Sequence, residues 1–280
     1  MTKRLPALLL FFCFASSVPG GSCWAADALR ASVSILPQAY FVERVAGDLA
    51  TVQVMTPKGA SPETYEPTPQ QLVRLAQSRL FVKVGTPAFP VEKKYLQGAL
   101  ARNRALTVVD MSEGLPLIEE DPHVWTSPAA VRIAAQKIAL ALQGLDPAHR
   151  DAYRRNLETF LRDIAQLDRD IRGVLDGKKG RTFMVYHPAW GYYARDYGLT
   201  QLAVEEEGKP LSAAHIRRTV DLAKAKGIRA ILVQRGFDAK GARAIARDIG
   251  GTVLETDPLE RDWLSGMRQV TALLGQVLGD

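Results

Sequence analysis

Residues 147–176 read PAHRDAYRRNLETFLRDIAQLDRDIRGVLD, and their pattern decides how the rest of the chain is parsed. The apolar positions Tyr153, Leu157, Phe160, Leu161, Ile164, Leu167, Ile171, Val174 and Leu175 advance by three or four. Arg, Asp, Gln and Glu fill the gaps, which predicts a helix with one apolar stripe on an otherwise charged rod. Asp146 is placed to cap the start, Pro147 suits a first turn, and Gly177 and Gly180 end the run. At 1.5 Å per residue such a rod is about 45 Å long. It could be the core helix of a single domain, but strand-like runs on both sides favour a rod joining two halves.

In the first half, residues 29–35, 51–55, 80–84 and 107–110 read as strands. Helices fall between them and in the apolar-periodic run after Pro128. In the second half, 182–186, 199–204, 230–233 and 252–255 read as strands, with a helix capped by Ser212. Short strands alternating with helices predict an α/β protein: two lobes with mainly parallel sheets and right-handed crossovers. The expected organisation is a signal peptide at 1–25, an N-terminal lobe at 26–146, a linking helix at 147–176 and a C-terminal lobe at 177–280. No internal repeat is strong enough to indicate duplication.

The signal-peptide expectation rests on Lys3 and Arg4 ahead of the apolar run 5–18, then small residues leading to Ala25 and Ala26. No later stretch reaches about 18 consecutive apolar residues, so no membrane-spanning helix is expected. Cleavage after Ala25 is the preferred reading. A lipid anchor at Cys23 is the alternative, although Gly20 occupies a position that such signals normally fill with an aliphatic residue. Either way Cys13 is lost and at most one cysteine is left, so no internal disulfide forms. The formal charge of +6 falls to about +4 without the leader. The charge is dispersed through the chain with no basic block, which argues against a nucleic-acid partner.

Four polar groups fall in loops at or near predicted strand ends, where parallel sheets bind ligands. Glu63 lies in the stretch 56–69, where Pro57, Pro62, Pro67, Pro69 and Gly59 forbid regular structure and stiffen the loop. His123 sits between Pro122 and Pro128 beside acidic groups and Trp125. His187 follows the strand at 182–186 and is walled by Trp190, Tyr192 and Tyr193. Asp257 precedes Pro258, where it could equally be a turn former. Should both sheets open on one crevice, two imidazoles and two carboxylates would suit a divalent transition ion: neutral nitrogen and anionic oxygen fit borderline cations and offset their charge. Spacing alone does not establish this, since the groups are some sixty to seventy residues apart and form no local signature. His149 and His215 read as surface or packing groups, Gln234 as a residue that could line the cleft, and Glu205, Glu206 and Glu207 as a solvated loop.

The run 59–69 with its SPETYEPTP core, the Asp121-Pro122-His123-Val124-Trp125 stretch, the aromatic segment after His187 and Thr256-Asp257-Pro258-Leu259 resemble, in order, the motifs of the zinc/manganese (TroA-like) solute-binding proteins of metal ABC importers. The resemblance covers essentially the whole mature chain. It implies two α/β lobes joined by a rigid helix, with an interlobe metal site made by Glu63, His123, His187 and Asp257. The cargo it implies is Zn2+ or Mn2+, with Fe2+ also accommodated, delivered by a monomer to a membrane ABC permease from a periplasmic or extracytoplasmic location. One departure stands out: the family usually has a histidine where this chain has Glu63. A carboxylate there makes manganese or iron(II) more plausible than a three-histidine site would. The segment 115–120 also lacks the histidine-rich loop of the family's zinc specialists. An exported metal-dependent hydrolase using the same residues is the alternative, although the sequence shows no recognisable base, nucleophile or oxyanion-binding loop beside them. A metal-locked adhesive protein is a third.

Overall fold

The computed structural model describes residues 28–205, 212–236 and 239–279; the expected signal peptide at 1–25 lies outside them. The N-terminal lobe contains β1 (Leu29–Val33), α1 (Leu36–Ala46), β2 (Ala50–Val54), α2 (Pro69–Ala76), β3 (Leu80–Lys83), α3 (Gln97–Arg102), β4 (Thr107–Asp110) and α4 (Pro128–Leu145). The long helix is α5 (Arg150–Val174). The C-terminal lobe contains β5 (Thr182–Val185), α6 (Gly191–Tyr197), β6 (Thr200–Ala203), α7 (Ala213–Ala225), β7 (Ala230–Gln234), α8 (Ala239–Asp248), β8 (Thr252–Thr256) and α9 (Trp263–Val277).

Among the described residues each lobe has one four-stranded sheet, ordered β2-β1-β3-β4 and β6-β5-β7-β8, with every neighbouring pair parallel. Parallel strands joined by helical crossovers are covered on both faces, and the short apolar runs of β3, β5 and β7 suit that burial. Alternation along β5 divides the layers. Phe183 and Val185 join the core shared with α5, α6 and α9, whereas Met184 packs with Val220 and Ala223 of α7 and Ala242 and Ile245 of α8. Helices α7 and α8 therefore form the outermost layer of the C-terminal lobe.

The long helix departs from expectation at its start. Residues Pro147–His149 form a 3-10 turn, and α5 proper runs about 37 Å rather than 45 Å. Asp146 makes no side-chain cap; its carboxylate accepts instead from Tyr153 Oη and His149 Nδ1, both at 2.7 Å. The stripe itself forms, with Tyr153, Phe160, Ile164, Leu167 and Ile171 buried. Val174 does not belong to it and is 42% exposed, while Leu175, just past the helix, closes the buried row. Helix α5 lies on α1 and α4 on one side and on α9 on the other. The approach of α9 depends on Gly275, where a Cβ would stand 2.7 Å from Val174 Cγ1. One continuous apolar core results, running from β1 through α5 to β5 and α9.

Candidate metal centre

Three of the four predicted groups meet. Donor atoms of Glu63, His123 and His187 all lie within 4.8 Å of one another, two from the N-terminal lobe and one from the C-terminal lobe. His187 Nε2 is 3.0 Å from Glu63 Oε1 and 3.3 Å from His123 Nε2.

Each position has a local cause. His123 precedes a single 3-10 turn (Val124–Thr126), whose Thr126 N–H and hydroxyl both donate to the His123 carbonyl. Trp125 Nε1 donates to Pro258 O, and Trp263 Nε1 donates to Trp125 O, so this loop is bonded to the C-terminal lobe. His187 lies just beyond β5, where Tyr186 N–H still bonds to Leu232 O of β7. Glu63 sits in the proline-rich loop after β2, turned by Thr64 and Tyr65 N–H bonds to the Ser61 carbonyl. That loop leads into α2, whose capping box is formed by Thr68 and Gln71.

Two carboxylates orient the imidazoles. His123 Nδ1 is 2.8 Å from Asp121 Oδ1, and His187 Nδ1 is 3.1 Å from Glu205 Oε2. A carboxylate accepts, so each Nδ1 carries the proton and each Nε2 is left with its lone pair directed into the site, the arrangement of a carboxylate-histidine-metal triad. Burial pushes His123, 4% exposed, below the ordinary histidine range, with Asp121 opposing the shift; the neutral ring is the ligating form. Two imidazole lone pairs and a carboxylate at such distances are held together only by a shared proton or a cation. A tetrahedral ion with bonds of about 2.0 to 2.1 Å separates its ligand atoms by roughly 3.3 Å, and the two separations from His187 Nε2, 3.0 and 3.3 Å, are on that scale.

Asp257 is not among the three. It follows β8, accepts from Leu259 N–H at 2.9 Å, and faces a cavity of about 470 Å³ lined from both lobes by Thr56, Lys58, Gln234 and Arg235 among others. Burial pushes its carboxyl above the usual range. Gln234 thus lines the cavity that holds Asp257 rather than touching the histidines. His149 is bound to Asp146 and His215 to its own helix through Thr219, as packing groups.

Three contributors to the site carry only weak signals in the sequence. Glu205, taken for part of a solvated run, is bonded to Tyr186 O through its N–H and thereby stands beside His187. Its signal was positional: it lies two residues past β6, the strand next to the one His187 ends. Asp121 lies in the quoted motif but was not assigned a task. Gly191 opens α6 against Asp121; a Cβ there would fall 2.2 Å from Asp121 Oδ2.

Two parallel-sheet lobes with nitrogen and oxygen donors gathered between them define a two-lobed binding protein of the metal-uptake class. Residues 32–276 match the family described as ZnuA, zinc-uptake complex component A, periplasmic, and the chain belongs to that family. It is 26% identical over 273 residues to the high-affinity zinc uptake system protein ZnuA of Bacillus subtilis, covering 90% of this chain and 85% of that protein. It is also 26% identical over 232 residues to the iron-binding protein YfeA of Yersinia pestis, covering 78% of this chain and 74% of that one. A crystal structure of ZnuA superposes with a TM-score of 0.84 at 37% identity, covering 90% of this chain and all of that one. Membership agrees with a solute-binding protein for metal uptake, not with the hydrolase.

Proposed function

We propose that the chain captures one divalent transition-metal ion through Glu63, His123 and His187 and releases it to the permease of an ABC importer. The observation that carries this reading is the pair of facing Nε2 atoms 3.3 Å apart, each ring held at Nδ1 by its own carboxylate. Asp257 completes the donor set by turning from its bond to Leu259 N–H. Its raised carboxyl supports this, because a cation would offset the cost of ionising it where it is buried. The names of the relatives point to zinc in one case and iron in another. With only two nitrogen donors and up to two carboxylates, the site suits Zn2+, Mn2+ or Fe2+, and the carboxylates favour the latter two more than a third imidazole would.

The protein acts as a monomer outside the cytoplasm after removal of residues 1–25, as two lobes at 26–146 and 177–280 on the 147–176 helix. It turns over no substrate. Among the described residues no helix is long and apolar enough to cross a membrane.

The test is direct. The stripped protein is offered zinc, manganese and iron(II) anaerobically, and bound ion is counted for wild type and for Glu63→Ala, His123→Ala, His187→Ala and Asp257→Ala. One ion per chain is expected, with affinity collapsing in both histidine variants and weakened in both carboxylate variants. Wild-type binding in both histidine variants overturns the ligand assignment, and chelator-sensitive ester or phosphate hydrolysis overturns the transport role.

A further inference from the structure

Charge is not, as the sequence pattern suggests, dispersed evenly, but is divided unevenly between the two halves. Residues 26–176 carry eighteen Lys and Arg against eighteen Asp and Glu, whereas residues 177–280 carry sixteen against twelve. The whole positive excess of the chain beyond the leader therefore sits in the C-terminal lobe. Much of it lies on the outer layer formed by α7 and α8. Arg217, Arg218 and Lys224 on α7 and Arg243 and Arg247 on α8 are all exposed, and Lys226 and Arg229 follow α7 at the same end of the lobe.

None of these seven has an acidic partner within salt-bridge distance among the described residues. Some cations elsewhere do, among them Arg44 with Asp163, Lys83 with Asp110 and Arg172 with Asp168, while others such as Arg155, Arg162 and Arg169 of α5 do not. Among the described residues the only acidic groups of the two helices are Asp221 and Asp248. The spacing is helical: 243 and 247 are one turn apart, and 217 or 218 precedes 224 by about two turns, so the cations share the solvent side opposite buried Val220, Ala223, Ala242, Ile245 and Ala246. Between them lie small or apolar exposed residues, Leu222, Ala225 and Ala244.

We propose that this face binds the surface of an anionic phospholipid bilayer. Helices α7 and α8 cover one face of the sheet and carry five exposed cations spread over two helices, rather than converging on the cavity of about 240 Å³ that Lys226, Arg229 and Arg181 line at the end of the lobe. Such an array fits a plane of negative headgroups, where each basic residue near the surface adds about fivefold to partitioning at physiological salt. The inference rests on the extracytoplasmic delivery role only for its use: a carrier that concentrates on the membrane searches for its permease in two dimensions. The metal donors lie at the carboxyl ends of the strands, away from the outer side of α7 and α8, so vesicle binding leaves the ion in place.

The experiment is sedimentation of the purified mature protein with sucrose-loaded vesicles, either phosphatidylcholine alone or with about one-third phosphatidylglycerol, at low salt and at high salt. The variant Arg217→Gln/Arg218→Gln/Arg243→Gln/Arg247→Gln removes four charges without reversal. Its metal stoichiometry and circular dichroism verify that it is folded, and a control variant Arg154→Gln/Arg155→Gln/Arg162→Gln/Arg169→Gln removes four charges from α5. Binding to the anionic vesicles alone is expected, lost at high salt, reduced at least about a hundredfold in the α7–α8 variant and reduced clearly less in the α5 control. No binding, equal binding to neutral vesicles, or equal losses in the two variants overturns the proposal. So does binding that appears only when permease is reconstituted, which assigns the face to an acidic protein surface instead. Vesicle binding is read without metal, so its failure is separable from failure of the metal assignment.

Discussion

The indole N–H of Trp125 donates to the carbonyl of Pro258 at 2.7 Å, binding the loop that carries His123 to the loop that carries Asp257. The ring itself is 1% exposed and lies edge-on to Phe89 and 5.0 Å from the His123 ring. Trp125→Phe keeps most of the apolar volume but leaves a buried carbonyl without its donor, a loss of about 1 to 3 kcal/mol. Urea unfolding should show a lower midpoint with an unchanged slope, and metal affinity should fall by less than in His123→Ala.

Gly191 and the carboxylates behind the imidazoles make a second set of predictions. Gly191→Ala places a methyl on Asp121 Oδ2 and forces the carboxylate to move while it still holds His123. Asp121→Asn and Glu205→Gln keep shape but weaken the orientation and basicity of their rings. Each of the three should lower metal affinity by about 10- to 100-fold, measured by competition with a chromophoric chelator. Their apo-protein melting temperatures should stay near that of the wild type. If one carboxamide variant bound metal like wild type, that carboxylate would not be an orienting group.

Metal should stabilise the fold by mass action. An ion present at about a thousandfold over its dissociation constant adds roughly 4 kcal/mol, read as a rise in melting temperature that a chelator reverses. His187→Ala should melt at the same temperature with and without ion.

Glu92 makes a prediction remote from the donors. It is buried and accepts from the Ser34 hydroxyl and from Val84 and Gly85 N–H at 2.6 and 2.9 Å. Burial pushes it up to about 7 from 4.5, against those donors and Lys83. The folded state therefore holds a proton that the unfolded state releases. The stability this contributes is complete below about pH 4.5 and is lost as pH rises through about 7, on the order of 3 kcal/mol in all. Denaturation of the apo-protein at pH 5 and pH 8 should show this decline, and Glu92→Gln should flatten it even where its overall stability is lower.

The fold was legible because its signals are local. Tyr153 to Ile171 repeat at helical spacing, and the runs at β3, β5 and β7 are apolar enough to mark strands buried on both faces. Start and end details were less so. Asp146 reads as a cap from its position, yet His149 and Tyr153, one and two turns on, compete for the same carboxylate. The candidate donors were legible as residues in proline-bounded loops at strand ends, and their order matched the family. Their meeting was not, because it depends on how two sheets face each other. Glu205 was hidden for a related reason: its task follows from the strand beside it, whereas its neighbours Glu206 and Glu207 make it look like one member of a charge run.

The apolar core that runs unbroken from β1 through Phe160, Ile164 and Leu167 to β5 and α9 has a consequence for selectivity. Lobes sharing one core fold and melt together, and neither can swing far without opening that core to water. The histidines thus acquire their separation when the chain folds, before any ion arrives. An ion whose preferred bond lengths disagree with that separation meets a rigid template, and the mismatch appears as weaker coordination rather than as a rearranged protein.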